Sequence, residues 1–298
     1  MKRFSLEALG AFALLGLLAN CNNPGQVTAT PDSDAPGASG TTTTPVADAA
    51  LEAAVVSISP KPPPVVTDTF TTPIGELTVT PIHHASLLLR VAGKAIYVDP
   101  ALAEASYEGL PPADFVFITD IHGDHMDPAG LAKVKKEGTV IVGPHAVNEK
   151  VPVNVIVDNG GTHDFGLFNV LAVPMYNLVR GPEEGKRYHD KGRGNGYVFT
   201  FGKPAVKGAT DAGMIATRFY VSGDTECTPE MKALKSIDVA FVCMNLPYTM
   251  TPGEAATCVN AFKPKVVFPF HYRGSKLDEL TAAIKPGVAI DVRKREWY

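Results

Sequence analysis

Charged side chains are scarce in this sequence, and neither sign dominates. They make up 19% of the 298 residues, and 27 lysines and arginines against 31 aspartates and glutamates leave a formal net charge of −4. The basic residues are scattered, and their densest group, at positions 293–296, is too short for a binding patch. The composition therefore gives no indication of a nucleic-acid partner or of an anionic membrane surface as partner.

Several catalytic motifs are missing as well. The chain has no GxSxG, no P-loop and no HExxH motif, so the sequence does not indicate a serine hydrolase, a nucleoside triphosphatase or a zincin protease. The glycine-rich stretch KGRGNGYV at 191–198 precedes an expected strand instead of opening a helix, so the context of a dinucleotide loop is absent. We expect this stretch to be a flexible loop over a site.

Cysteine is rare, with four residues and no CxxC pair. Cys227, Cys243 and Cys258 are expected to be small buried hydrophobic residues. An exported protein could join two of them, but the sequence does not indicate which pair.

The N-terminus has the pattern of an export signal. The basic start MKR precedes LGAFALLGLLA (9–19), an apolar run too short to span a membrane as a helix. Leu18-Ala19-Asn20-Cys21 resembles the bacterial lipobox, although Asn20 departs from the usual small residue. We predict a signal peptide at 1–20, a lipidated Cys21 and a periplasmic or cell-surface location; an ordinary secretory signal cut nearby is the alternative. Residues 21–63 are rich in Thr, Pro, Ser and Gly and are expected to be a disordered tether before a folded domain at 64–298.

Strand and helix patterns in the domain predict a layered α/β fold. Apolar strand patterns occupy 76–91 and 94–100, with Ala92-Gly93 as a turn between them. Helices are expected at 127–138, 228–236, 251–263 and 277–285, with Asp127, Thr228 and Thr251 as N-caps. Strands alternate with helices in the second part of the domain, which favours helices covering the outer faces of the sheets.

Candidate metal ligands follow several of the predicted strands. The strand FVFI (115–118) is followed by TDIHGDH (119–125), RFYVSG (218–223) by Asp224, and KVVFPF (265–270) by His271. Ligands on loops after strands can converge on one point, and imidazole and carboxylate together suit a divalent first-row metal with an open position for water.

These motifs resemble those of the metallo-β-lactamase-fold hydrolases. Beyond TDIHGDH, the chain has IHHASLLL and YVDP upstream, SGDT at 222–225 and PFHY at 269–272, in the order that the family shows. The combination of HAS and VDP is most similar to the branch with L-ascorbate-6-phosphate lactonase and N-acyl phosphatidylethanolamine phospholipase D. The resemblance implies a four-layer αββα sandwich with its site at the edge between two sheets.

The resemblance also implies two metal positions and a hydrolysis carried out by a metal-activated water. Asp124, His125 and His271 match the second position, with Asp224 as the bridging carboxylate. At the first position His122 matches, but Asp120 stands where the family has a histidine. The third ligand is expected near Val173-Pro174-Met175-Tyr176-Asn177; it is either His189, which we favour, or the amide oxygen of Asn177.

Other residues receive supporting roles from their positions. Asp124, Asp224, His84 and Tyr248 are the predicted catalytic residues, His84 at the edge of the site and Tyr248 as an oxyanion donor. Asp99 in YVDP is expected to orient a metal-binding histidine. Arg193, Asn195 and Arg273 are the predicted substrate-binding residues, Arg273 for a phosphate or carboxylate.

The donor set leaves the metal and the reaction open. Asp120 adds a hard, anionic oxygen, which makes manganese or iron(II) more plausible beside zinc and should make bound water less acidic. The expected substrate is a small molecule with a phosphodiester, lactone or amide bond. The alternatives are a redox enzyme of the same fold and a non-catalytic tethered binding module, which the changes at Asp120 and Asn177 would suit.

Overall fold

The computed structural model describes residues 68–101, 105–202 and 216–298, together with Val65. The predicted signal peptide, the lipidated Cys21 and the predicted tether lie outside the described residues. Within the described part of the chain, no helix is long and apolar enough to cross a membrane.

The first half of the domain forms a seven-stranded sheet whose strands lie in chain order. The strands are β1 (Asp68–Thr72), β2 (Gly75–His83), β3 (Ser86–Val91), β4 (Lys94–Val98), β5 (Ala113–Phe117), β6 (Lys135–Gly143) and β7 (Val155–Ile156). The strands from β1 to β4 pair antiparallel, and those from β4 to β7 pair parallel. The parallel crossovers contain helices α1 (Pro128–Val134) and α2 (His145–Asn148).

The second half repeats this plan in another seven-stranded sheet. Its strands are β8 (Thr162–Asp164), β9 (Phe168–Met175), β10 (Gly194–Gly202), β11 (Ala216–Val221), β12 (Val239–Cys243), β13 (Val266–Phe270) and β14 (Asp291–Val292). Strands β8 to β11 pair antiparallel and β11 to β14 parallel, with α3 (Pro229–Lys232), α4 (Pro252–Phe262) and α5 (Leu277–Ala283) in the crossovers.

Alternating side chains show that each sheet packs on both faces. In the first sheet, Leu87 and Leu89 join the core between the sheets, while Leu88 joins a separate cluster with Leu131 and Val134 of α1. In the second sheet, Phe219 contacts Phe70 of the first sheet with ring centroids 5.3 Å apart, and the next residue, Tyr220, contacts Phe262 of α4 at 5.9 Å. Because neighbouring residues of a strand face opposite sides, helices cover the outer face of each sheet. The predicted four-layer αββα sandwich is confirmed.

Helix starts follow the sequence prediction more closely than helix ends. The side chains of Asp127, Thr228 and Thr251 accept hydrogen bonds from backbone N–H groups as N-caps of α1, α3 and α4. The prediction that the first helix continues to Gly138 is wrong, because α1 ends at Val134 and Lys135 already belongs to β6. Pairing with β5 takes precedence over the helical preference of the KVKKEG segment, an example of tertiary context overriding propensity.

The segment 76–91 is two strands instead of the single predicted one. It turns at His84 and Ala85, where His84 has the left-handed backbone angle φ = 54°. Non-glycine residues seldom adopt this region, so the hydrophobic pattern alone did not indicate the turn.

The expectation that all three domain cysteines are unpaired is corrected. Cys227 and Cys258 form a disulfide that joins the segment after β11 to helix α4, and Cys243 is free and buried. The two partners are far apart in sequence, and only the packing of α4 against the second sheet brings them together.

Candidate metal centre

The candidate ligands gather where the strands of both sheets end. Asp120, His122, Asp124 and His125 follow β5 of the first sheet, while Asp224 follows β11 and His271 follows β13 of the second. His189 lies in the segment between β9 and β10. Ligand sites of α/β sheets commonly lie in the loops after the carboxyl ends of parallel strands. Here such loops from both sheets lie next to each other.

One group of four side chains has the spacing of a metal site. Nε2 of His125 lies 3.4 Å from Asp224 Oδ2, and Nε2 of His271 lies 3.4 Å from Asp224 Oδ1. Asp124 Oδ2 is 3.3 Å from His271 Nε2 and 3.8 Å from His125 Nε2. Ligands about 2.1 Å from a tetrahedral metal are about 3.4 Å from each other, so these separations fit one divalent ion.

Buried polar atoms without hydrogen bonds point to the same place. Among the described residues, Nε2 of His125, His189 and His271 and Oδ1 of Asp224 are buried with no hydrogen-bond partner. Such atoms are rare in folded proteins because each one costs the free energy of its lost hydration. Divalent cations accept electron pairs from imidazole nitrogens and carboxylate oxygens, so the residues present fit the metals that the motifs imply.

A buried carboxylate fixes the direction of His125. Asp99 accepts a hydrogen bond from His125 Nδ1 at 2.8 Å and two more from the backbone N–H and hydroxyl of Thr119. The His125 proton is thereby held on Nδ1, which leaves Nε2 directed into the centre. Burial by itself lowers the pKa of His125, but the carboxylates of Asp224, Asp124 and Asp99 raise this pKa well above its ordinary value.

Asn177 performs the corresponding task for His189. Its side-chain oxygen lies 2.7 Å from His189 Nδ1 and also accepts the backbone N–H of His189 at 2.8 Å. His189 Nε2 then faces the centre, 3.3 Å from Asp224 Oδ2 and 3.9 Å from Asp120 Oδ2. Of the two candidates for the third ligand, the structure directs His189 toward the centre, and Asn177 holds its ring.

Asp120, His122 and His189 form the first candidate metal position. Nδ1 of His122 lies 2.8 Å from Asp120 Oδ2. Arg193 donates to both carboxylate oxygens of Asp120, from Nε to Oδ1 and from Nη2 to Oδ2, each at 3.0 Å. The prediction that Arg193 binds substrate is corrected, since its guanidinium is engaged by a fully buried carboxylate and is not part of the cleft wall.

The Arg193 contact also corrects the expectation of a more anionic first position. An aspartate paired with an arginine has no net charge, which equals the charge of the neutral histidine that the family has there. Burial would raise the pKa of Asp120, but its contact with His122 and the charges of His125 and Arg193 hold this pKa well below its ordinary value. The first position thus exchanges a nitrogen donor for an oxygen donor with little change in total charge.

Three residues of the centre adopt strained backbone conformations. His84, Asp99 and His271 have φ values of 54°, 46° and 45°. Each non-glycine residue in this region costs about 1 kcal/mol or more and persists only where its surroundings enforce it. Gly223, just before Asp224, has φ = 59°, and a Cβ there would overlap Sδ of Met175. The glycine of the SGD motif is therefore required for Asp224 to reach the centre.

An open cleft of about 400 Å³ leads to the candidate ligands. Its wall contains His84, His122, Asp124, Tyr188, His189, Asp224, Asn245, Tyr248 and Arg273. Tyr248 and Arg273 thus lie where a substrate would enter. Asn195 does not: it is fully buried, and its side chain bonds to Val157, Asn159 and Tyr197, which corrects its predicted contact with substrate.

Sequence reasoning missed residues that act on the predicted ones. Tyr188 and Asn245 line the cleft, and Tyr298 places its hydroxyl 2.7 Å from Nδ1 of His84. The carboxylate of Glu226 accepts the backbone N–H groups of Leu178, Val179 and Arg180 and so fixes the segment after Asn177. No motif marks these residues, because their roles depend on contacts between distant segments.

Comparison with known families agrees with this geometry. Residues 78–271 match the family profile described as "Beta-lactamase superfamily domain", a span that contains every candidate metal ligand. The chain belongs to this superfamily.

Several proteins similar to this chain are named as metal-dependent hydrolases. A "UPF0173 metal-dependent hydrolase" of Aeropyrum pernix is 28% identical over 65% of this chain and 81% of its own. The crystal structure of a putative metal-dependent hydrolase from Parabacteroides distasonis is 40% identical, with a TM-score of 0.68, over 78% of this chain and 99% of that one. Igni18, a metallo hydrolase of Ignicoccus hospitalis, is 21% identical with a TM-score of 0.57 over 74% of this chain and 95% of that one, which shows a shared fold.

Proposed function

We propose that this protein is a metal-dependent hydrolase with two divalent ions, zinc, manganese or iron, at the centre described above. The observation that carries the proposal is the group Asp124, His125, Asp224 and His271, with its tetrahedral spacing and its orphaned buried atoms. The names of the relatives from Aeropyrum pernix and Parabacteroides distasonis support the same activity.

In this proposal, some residues of the centre hold metal and others bind substrate. Asp124, His125 and His271 would hold one ion and Asp120, His122 and His189 the other, and Asp224 lies within reach of both groups. Bound divalent ions supply Lewis acids and lower the pKa of a water, so that a nucleophile is available at neutral pH. Asp99 and Asn177 keep the imidazole rings of His125 and His189 directed inward. Tyr248 lies in the cleft wall, where its hydroxyl would be available as a hydrogen-bond donor to an oxygen that gains negative charge.

The cleft favours a small anionic substrate with an apolar or aromatic part. Arg273 is in its wall, and the rings of Tyr188 and Tyr248 lie 5.0 Å apart, edge to face, at its side. Arginine pairs well with phosphate and carboxylate, and tyrosine faces accept flat or apolar groups. We infer that the scissile bond is a phosphodiester, lactone or amide, and that the similarity to the ascorbate-phosphate lactonase and phospholipase D branch extends to such substrates.

Metal analysis with a substrate panel tests this function. The purified protein is expected to contain about two divalent ions and to hydrolyse bis(4-nitrophenyl) phosphate, a homoserine lactone or an aryl amide, and a chelator should abolish this activity. Asp224→Ala removes the proposed bridging carboxylate and should lower the metal content below two ions per chain and turnover by about a hundredfold, since even residues that only orient ligands contribute about 10- to 100-fold. Glu137→Ala, at an exposed position of β6, is the matched control and should leave both unchanged.

Two results would contradict the proposal. Hydrolysis that persists after chelation and in Asp224→Ala would place the reaction elsewhere. Iron together with turnover of oxygen and no hydrolysis would indicate the redox alternative, and less than one ion per chain would indicate a binding module.

We further propose that the protein is exported and held to a bacterial membrane through a lipid on Cys21. The disulfide between Cys227 and Cys258 supports an oxidising compartment, since such bonds are rare in reducing cytosol. In cell fractionation the native chain should sediment with membranes and Cys21→Ser should become soluble; equal sedimentation of both would contradict the anchor.

A further inference from the structure

His84 can interact with the centre in two ways that exclude one another. With Asp124 and His271 it forms a group whose ligand atoms could share a metal ion, which requires a free electron pair on its Nε2. Alternatively, Nε2 carries the ring proton and donates it to Asp124. The same atom cannot do both, so the tautomer of His84 decides whether it is a ligand or a support for one.

The contact with Asp124 places the proton on Nε2. His84 Nε2 lies 2.9 Å from Asp124 Oδ2, a hydrogen-bond distance. An ionised carboxylate has no proton to donate, so the imidazole is the donor. A neutral ring then has an electron pair on Nδ1, and this atom requires a donor of its own.

Tyr298 supplies that donor. Its hydroxyl oxygen lies 2.7 Å from His84 Nδ1 and accepts the backbone N–H of Arg273 at 3.0 Å. Since neutral His84 offers only an electron pair on Nδ1, the Tyr298 hydroxyl donates its proton there, while its oxygen accepts the Arg273 N–H. The series runs in one direction, from the Arg273 amide through Tyr298 and His84 to Asp124.

The surrounding contacts hold Tyr298 in place. Trp297, fully buried, accepts the backbone N–H of His84 through its carbonyl oxygen at 2.9 Å. The Tyr298 ring packs edge to face on His83 and Tyr272, with centroids 5.1 Å and 5.0 Å away. A side chain that packing holds in one orientation can select the tautomer of the histidine beside it. A mobile side chain would instead reorient to suit either tautomer.

We propose that Tyr298 is a positioning residue that keeps His84 as a hydrogen-bond donor to Asp124 and prevents it from binding metal. The proposal rests on the proposed function for its effect on turnover, but the tautomer itself does not depend on activity. Its consequence is that Asp124 is held at one angle for the ion at the second position, which remains defined by Asp124, His125, Asp224 and His271.

Nitrogen NMR of histidine ring nitrogens tests the proposal directly. In protein labelled with 15N-histidine, metal-free and zinc-loaded, the His84 ring should show a protonated Nε2 and a hydrogen-bonded acceptor at Nδ1; loss of the signals in His84→Ala assigns them. Tyr298→Phe keeps the aromatic packing and removes only the hydroxyl. It should shift the Nδ1 signal and, with zinc bound, replace the Nε2–H signal partly by that of a metal-bound nitrogen.

Tyr97→Phe is the matched control. It removes a phenol hydroxyl that donates to the Pro111 carbonyl, from a ring in the cluster on the outer face of the first sheet, and should leave the His84 signals unchanged. Turnover should fall ten- to a hundredfold in Tyr298→Phe, as for other groups that orient ligands, with less change in KM than in kcat.

The spectra can overturn the inference in two ways. In the wild type, a proton on Nδ1 or zinc on Nε2 of His84 would do so. A His84 spectrum that is the same in Tyr298→Phe as in the wild type would also do so. A protein with the expected tautomer but no hydrolytic activity would contradict the proposed function and leave the assignment of Tyr298 intact.

Discussion

Asp120 and Arg193 show how a single substitution in a metal motif can be balanced by a neighbour. A buried carboxylate without a partner would carry a large desolvation cost, and Arg193 offsets it with two hydrogen bonds. Each carboxylate oxygen has a second lone pair, so Asp120 can still offer an electron pair to an ion. The first position is thus an oxygen-containing site of nearly the same charge as a histidine site.

Replacing Arg193 with glutamine tests this balance. Without metal, Arg193→Gln should unfold with a free energy lower by about 3 kcal/mol, because Asp120 loses its buried partner. Added Mn²⁺ should then restore more stability than it adds to the wild type, since the unpaired carboxylate attracts the ion more strongly. Urea unfolding with and without Mn²⁺ measures both quantities.

Arg187→Gln is the control for this experiment, because its half-buried guanidinium donates only to backbone carbonyls among the contacts described. Equal Mn²⁺ stabilisation of Arg193→Gln and the wild type would show that Arg193 does not influence the first position.

Motif-bearing residues were accessible to sequence reasoning, while their supports were not. TDIHGDH, Asp224 and His271 follow apolar strands, and that pattern indicated a metal centre, while the resemblance to the metallo-β-lactamase-fold hydrolases implied its place at the edge between two sheets. Arg193 and Asn195 were expected at substrate because they lie in a glycine-rich segment. One of them pairs with Asp120 and the other is buried, and only the paired register of β9 with β10 determines these positions.

Helix α4 and the segment after β11 illustrate stability at the scale of elements. Thr251 and Glu254 form a reciprocal capping box at the start of α4, in which each side chain accepts the other's backbone N–H. Cys258 on the same helix is bonded to Cys227, three residues after Asp224. The helix therefore stabilises the segment that presents Asp224, the proposed bridging carboxylate.

Loss of the cap should be measurable and dependent on pH. Thr251→Ala is expected to lower the free energy of unfolding by about 1 kcal/mol.

Partial burial would raise the pKa of Glu254, but the Thr251 N–H and Arg180 lower this pKa below its ordinary value of 4.5. The contribution of Glu254 is thus present above about pH 4.5 and disappears as the pH falls through the lowered pKa. Urea unfolding of Glu254→Gln and wild type at pH 7 and pH 3 should show a difference that shrinks at the lower pH; a constant difference would contradict the charge effect.

The disulfide should stabilise the protein without being needed for the fold. Cys227→Ser together with Cys258→Ser is expected to lower the free energy of unfolding, measured in urea, by about 2 to 4 kcal/mol.

Burial raises the pKa of Cys243 to about 11, so its thiol should stay unreactive toward thiol reagents until the protein unfolds. In a Cys21→Ser background, unfolding without reductant should release one thiol, and unfolding with reductant should release three. Three thiols without reductant would show that the bond is absent.

At the scale of the whole molecule, the metal centre connects the two sheets. Asp124 and His125 belong to the first sheet, and Asp224 and His271 to the second. Any ion they share is bound by the folded state and not by a chain in which the sheets have separated. The layered architecture could be predicted from the alternating strands and helices of the sequence. The contact between the two sets of ligands could not, because it depends on how the loops of one sheet lie opposite those of the other.

Removal of metal should therefore lower the stability of the whole domain. At free metal one hundred times the dissociation constant, the ion contributes about 2.7 kcal/mol to unfolding, and a chelator should remove this contribution. Differential scanning calorimetry with and without chelator measures the change. His271→Ala, which removes one of the four ligands, should respond less; a midpoint that chelation leaves unchanged in the wild type would contradict a metal shared between the sheets.

The order of these ligands along the chain affects when metal can enter. Asp124 follows β5, whereas Asp224 and His271 follow β11 and β13, late in the sequence. Contacts between such distant segments form slowly, so a growing chain does not possess the complete donor set until nearly all of it has been synthesised. Metal binding at the proposed centre would consequently be one of the last events in making the protein. In the exported protein proposed above, the supply of ions in the compartment where folding finishes would then decide which metal is bound.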